Sequence, residues 1–203
     1  MIPSSSRGFS LIELMTTITV LAILLVLGIP SYQQWMLNTR IRSATESIQN
    51  GLRLARNEAA QRATFVRFQL TSATDGTWAV CQLPATAASA ATVTTCTGTG
   101  LTMIQQVPAD NTSGVQIGAA TAVADLAATS YGTTVTGGVP SGITFTALGR
   151  PMSYGGSSIL RIDVSAAQAG SRRLVTTISA GGMVNMCDPA ITFNATGSTQ
   201  GCP

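Results

Sequence analysis

A chain of 203 residues has room for one membrane helix and one domain of about 170 residues, enough for a proper core. Its 11 basic residues are all arginine, set against 8 acids and no histidine, so a net charge of +3 falls far short of the basic stripe of a dedicated nucleic-acid binder. The 4 cysteines show no CxxC spacing and no histidine could complete a zinc set, so they read as two disulfides of an exported domain.

In chain order, the first informative stretch is Arg7-Gly8-Phe9-Ser10-Leu11-Ile12-Glu13-Leu14, which leads without a break into the apolar run 15–29 and then Pro30. Residues 9–29 number about 21, which at ~1.5 Å per residue matches the ~30 Å hydrocarbon core of a bilayer. Arg7 lies before the run, and the positive-inside preference then places everything after Pro30 in the periplasm or beyond. Glu13 is the one charge in the run, and an intramembrane acid is by default a functional group with a partner to be named. If the bond after Gly8 is cut, the new α-amino group of Phe9 stands one helical turn before Glu13. On a neighbouring subunit that amine is a suitable counter-charge.

Gly8-Phe9-Ser10-Leu11-Ile12-Glu13-Leu14 resembles the type III signal of type IV pilins and pseudopilins. The resemblance implies that a prepilin peptidase cuts between Gly8 and Phe9 and N-methylates Phe9, and that residues 1–8 are a leader. It also implies that residues 9–29 form a membrane and filament-core helix with Glu13 as the docking charge.

Past Pro30, Ile41, Ala44, Ile48, Leu52, Ala55 and Ala59 recur at helical spacing, opposite Arg40, Arg42, Glu46, Arg53, Arg56, Glu58 and Arg62. Residues 30–62 therefore read as an amphipathic continuation in which Pro30 kinks a long helix without ending it. The charged face reads as solvated and salt-bridged, since Glu46 and Glu58 interleave with the arginines. The run Ala55-Arg56-Asn57-Glu58-Ala59, leading into a strand, is similar to the helix end of H-type pseudopilins and FimT-like minor pilins.

Strands are expected over 64–70, 78–83, 101–107, 143–147, 159–164, 173–179 and 183–187, from alternation and β-branched content. Residues 84–100 and 109–142, rich in Ala, Thr, Ser and Gly, read as exposed loops or irregular edge strands. One long helix followed by short strands gives an α+β fold, a type IV pilin-like helix on a mostly antiparallel head over residues 63–203. The cysteines allow three connectivities; the local pairs Cys81 with Cys96 and Cys187 with Cys202 are favoured, because each closes a loop of about 15 residues, worth about 3 kcal/mol by loop entropy.

With no histidine, no nucleophile elbow and no phosphate-cradling glycine motif, no catalytic constellation can be assembled, and no enzyme activity, cofactor or metal is expected. The resemblance continues through Ile143-Thr144-Phe145-Thr146-Ala147-Leu148-Gly149-Arg150-Pro151 and Cys187-Asp188-Pro189. In DNA-binding FimT-like relatives the strand before that cysteine carries a glycine-arginine-x-arginine motif. Here Gly182-Met183-Val184-Asn185 stands in its place, so the arginines that would contact phosphate are missing. The remaining candidates for DNA contact are Arg150, Arg172 and Arg173, with Arg161 expected near them.

The reading is a minor pilin or H-type pseudopilin, a structural subunit acting in assembly at or near the tip of a type IV pilus or type II secretion pseudopilus. Its expected partners are other pilins or pseudopilins, the prepilin peptidase and the bacterial inner membrane, from which a periplasmic head enters the filament. A DNA-binding minor pilin acting in natural transformation is the alternative.

Overall fold

The computed structural model describes residues 8, 10–84, 86, 92–108, 114–168, 170–194 and 196–202. A single helix, α1 (Leu11–Gln61), runs through Pro30 without interruption. The chain divides into two compact units, Met1–Met36 and Leu37–Pro203, so α1 contributes to both.

In the first unit the large apolar side chains of α1, from Leu11 through Trp35, are exposed wherever they are described, Leu24 at 61 % for example. The best window of α1 has a mean hydropathy of 2.4, long and apolar enough to cross a membrane by length and composition.

In the second unit Ile41, Ala44, Ile48, Leu52, Ala55 and Ala59 are all fully buried, the six positions that helical spacing singles out. They share one core with residues of strands β1 (Val66–Leu70), β2 (Trp78–Gln82), β3 (Thr102–Val107), β4 (Val115–Ala120), β5 (Ser141–Phe145), β6 (Arg161–Ala166), β7 (Leu174–Ile178) and β8 (Val184–Thr192), and β9 (Gly201–Cys202) completes the strand set. These form two sheets, ordered β3-β2-β1-β5 and β4-β6-β7-β8-β9, antiparallel except for β8 with β9. Alternation explains the layering. Val66, Phe68 and Leu70 join the helix-facing core, while Gln69 accepts a hydrogen bond from the Cys96 amide on the other face.

Helix and sheet approach closely at Gly51, where a Cβ would lie 2.7 Å from the Phe68 ring and 2.9 Å from the Trp78 ring. Those rings, 5.7 Å apart, fill the space that the glycine leaves.

The expectation for residues 109–142 needs correction. Besides two 3-10 turns, Val123–Leu126 and Ala128–Gly132, the stretch holds β4, a regular edge strand whose Val115 and Ile117 are buried. Its small residues have a packing reason, because a Cβ on Gly118 would meet the backbone carbonyl of Val135 at 1.9 Å. A covering segment crosses directly over the strand there. Residues 84–100 show no strand among those described. Strand β8 runs past the expected end at Cys187, through Pro189, and a register shift lets it pair in parallel with β9.

Candidate functional site

The N-terminal signal sits where α1 begins. Gly8 is exposed and precedes the helix, and the first helical bond among the described residues runs from the Leu14 amide to the Ser10 carbonyl at 3.1 Å. Phe9, the expected site of cutting and methylation, lies outside the described residues, as do residues 1–7. Glu13 falls in the first turn, where the unpaired amides and the positive end of the helix dipole favour a carboxylate. That position is less costly for an acid than mid-helix.

The apolar run carries three threonines whose hydroxyls donate back to the helix itself: Thr16 to Glu13 O, Thr17 to Leu14 O and Thr19 to Met15 O, at 2.7–3.0 Å. The polar groups of the run are thereby satisfied locally, which a bilayer or a dry helical bundle requires.

On the head, the disulfides pair Cys81 with Cys96 and Cys187 with Cys202, the two local loops. The first joins Cys96 to β2. The second ties β9 to β8.

The candidate DNA-contacting arginines do not form one patch, because neighbours along an extended chain point opposite ways. Arg172 is exposed and its guanidinium donates to Asp188 at 2.5 Å. Arg173 turns inward, 14 % exposed, and donates to Asp163 at 3.0 Å, to Thr134 Oγ1 at 3.1 Å and to the Tyr131 carbonyl. Arg150 is exposed on the turn after β5, and Arg161 is 1 % exposed.

Arg161 and Arg173 share the wholly buried Asp163, and Arg161 also donates to the carbonyls of Asp125, Ser130 and Thr133. The Tyr131 ring lies 5.0 Å from the Arg161 guanidinium carbon, and burial raises the Tyr131 phenol above its ordinary pKa. This cluster clamps the segment between β4 and β5 to the sheet. Sequence reasoning grouped Arg161 and Arg173 with the surface charges; the available signal was Arg161 and Asp163 at i, i+2 in an otherwise apolar strand, opposite charges on one face.

Among the described residues no group of three or more His, Cys, Asp or Glu side chains gathers where it could hold a metal ion.

Residues 3–29 match the family described as the prokaryotic N-terminal methylation motif, a type IV prepilin-like signal. A comparison with curated proteins finds no match. Among solved structures, the type IV minor pilin FimU of Pseudomonas aeruginosa strain PAO1 is similar in two crystal forms. Each is 15 % identical to this chain, with TM-scores of 0.46 and 0.44, over 75 % and 74 % of this chain and 92 % and 94 % of FimU.

Proposed function

We propose that this protein is a minor pilin or H-type pseudopilin, processed between Gly8 and Phe9, methylated at Phe9 and built into a filament through α1. The observation that carries the reading is the methylation motif over residues 3–29 at the head of a helix that is apolar on all sides and exposed in the isolated chain. A helix of that kind needs lipid before assembly and neighbouring helices after it. The head stays on the far side of the inner membrane, where its two disulfides form.

Assembly transfers the helix from bilayer to filament core, where an acid needs a compensating charge. The amine of Phe9 on a neighbour is the fixed cation that processing would supply to Glu13. Two disulfides and long Ala/Thr-rich segments suit a head exposed at the tip of a pilus.

The DNA-uptake reading has no comparable support, because Arg172 is paired with Asp188 and Arg173 is buried against Asp163. At physiological salt the protein should bind duplex DNA weakly or not at all, which a gel shift over a salt series checks.

The test of the assembly reading is Glu13→Ala. Leader cleavage and membrane insertion should persist, because the segment becomes more apolar, while the amount in sheared filaments relative to the membrane fraction falls. Incorporation at the wild-type level would refute Glu13 as the docking charge.

A further inference from the structure

The two most exposed large apolar side chains of the described head are Leu148 at 81 % and Met183 at 56 %. They stand on two turns that touch. Leu148 belongs to the turn after β5, where the Gly149 amide donates to Thr146 O, and Met183 follows the turn after β7, where the Gly182 amide donates to Ser179 O. Both glycines adopt positive φ, 68° and 76°, and a Cβ on Gly182 would lie 2.2 Å from the Gly149 carbonyl oxygen. Only glycine lets the turns approach this closely.

The same two glycines close on Arg56 of α1. A Cβ at Gly149 would lie 3.3 Å from Arg56 Nε, and one at Gly182 would lie 3.4 Å from it. Arg150, exposed, follows Gly149 directly. Among the described residues neither Arg56 nor Arg150 has a carboxylate within ion-pair distance, whereas Arg42, Arg62, Arg161, Arg172 and Arg173 all do. One corner of the head thus combines its most exposed aliphatic side chains with two arginines that no described acid neutralises.

The rest of the charge distribution says what could cover this corner. Among the described head residues Glu46, Glu58, Asp163 and Asp188 are held by arginines and Asp75 accepts from Thr77, which leaves the half-buried Asp125 as the one carboxylate outside an ion pair or hydrogen bond. A second copy of the chain therefore has little acid to offer. Nucleic acid suits the arginines but not the aliphatic pair, since bases stack on aromatic rings. Methionine and arginine are both enriched at protein interfaces relative to the rest of the surface, and this corner presents both.

We infer that the corner formed by Arg56, Leu148, Gly149, Arg150, Gly182 and Met183 docks the head of a different filament subunit, one that presents carboxylates around a small apolar recess. This rests on the filament-subunit reading and adds to it the surface used and the chemistry of the partner.

The experiment uses the full-length chain in its native cells, with the photoreactive residue p-benzoylphenylalanine at position 148 and, in a second strain, at position 183. Irradiation should give an adduct with another protein bearing the N-terminal methylation motif, identified by mass spectrometry. The adduct yield should fall about tenfold with Arg150→Glu, as for loss of a complementary charge, and recover when an acidic residue at the crosslinked site of the partner is changed to arginine. Disulfide formation and leader cleavage in Arg150→Glu show that the head has folded, and Arg56→Glu is the second variant. An adduct with a second copy, an adduct with nucleic acid, no adduct at either position, or a yield indifferent to charge reversal overturns the inference. Processed protein present in sheared filaments without the heterotypic adduct fails this inference alone. Protein that is uncut and absent from filaments fails the underlying reading with it.

Discussion

The two halves of α1 are both apolar and end in opposite environments. Ile18, Leu21, Ile23, Leu24 and Leu25 are each more than half exposed, while Ile41, Ile48 and Leu52 in the same helix are at 0 %. Hydrophobicity does not explain the difference; its distribution around the helix does. The second half concentrates its apolar residues on one stripe, with Arg42 paired to Glu46 and Arg62 to Glu58 on the other side. The first half is apolar all round and offers no single face to a sheet. One half is held by its own head, and under the proposed function the other is held by lipid or by other chains.

The comparison can be broken by showing that the head depends on something other than its own core and its buried charges. The largest effect expected is from Asp163→Ala, which leaves Arg161 and Arg173 buried without their shared carboxylate and should cost about 3–5 kcal/mol. Thermal unfolding of detergent-solubilised protein, read by circular dichroism with disulfides intact, measures it. A loss under about 1 kcal/mol would mean that the cluster is solvated in solution.

Next in size is a matched pair on the same helix. Leu52→Ala removes a fully buried side chain and should cost about 2–5 kcal/mol, while Leu24→Ala should leave the unfolding of the head unchanged. Equal effects would erase the distinction between the halves. Gly51→Ala sharpens it, because the added methyl must displace the Phe68 and Trp78 rings at 2.7–2.9 Å. About 1–3 kcal/mol of overpacking, offset by about 1 kcal/mol of helix propensity, predicts a small net loss. A net gain would show that the rings move freely.

The smallest effect concerns Asp75, in the turn between β1 and β2. Burial raises its pKa, but hydrogen bonds from Ser72 and Thr77 outweigh that and leave it below the usual carboxylate value. Its contribution to stability is then present above the unfolded-state pKa and lost as pH falls through the lowered folded-state pKa. The melting-temperature gap between wild type and Asp75→Asn should therefore be measurable at neutral pH and close as the pH falls below the usual carboxylate range. A gap that widens on acidification would contradict the sign.

Much of this was legible because the signals are local. Six apolar positions at helical spacing are the helix side of the core, alternation places most strands within two residues, and 15-residue separations mark the disulfides. What was hidden depends on contacts distant in sequence. Strand β4 read as an exposed loop or an irregular edge strand, not as a regular, buried one, because Gly118 must be small where Val135 crosses it, which composition cannot reveal. Arg172 and Arg173 looked like one basic spot, yet one faces solvent and the other meets a carboxylate ten residues earlier on β6. The apolar character of residues 11–29 was plain, while what would cover them is not given by any contact among the described residues.

The central claim is that the exposed half of α1 belongs to a processed filament subunit, and the intact mass of the protein extracted from its native membrane tests this most directly. The account predicts a mass corresponding to a chain that begins at Phe9, increased by one methyl group. A mass matching all 203 residues, or a chain starting near Ile29, would contradict it.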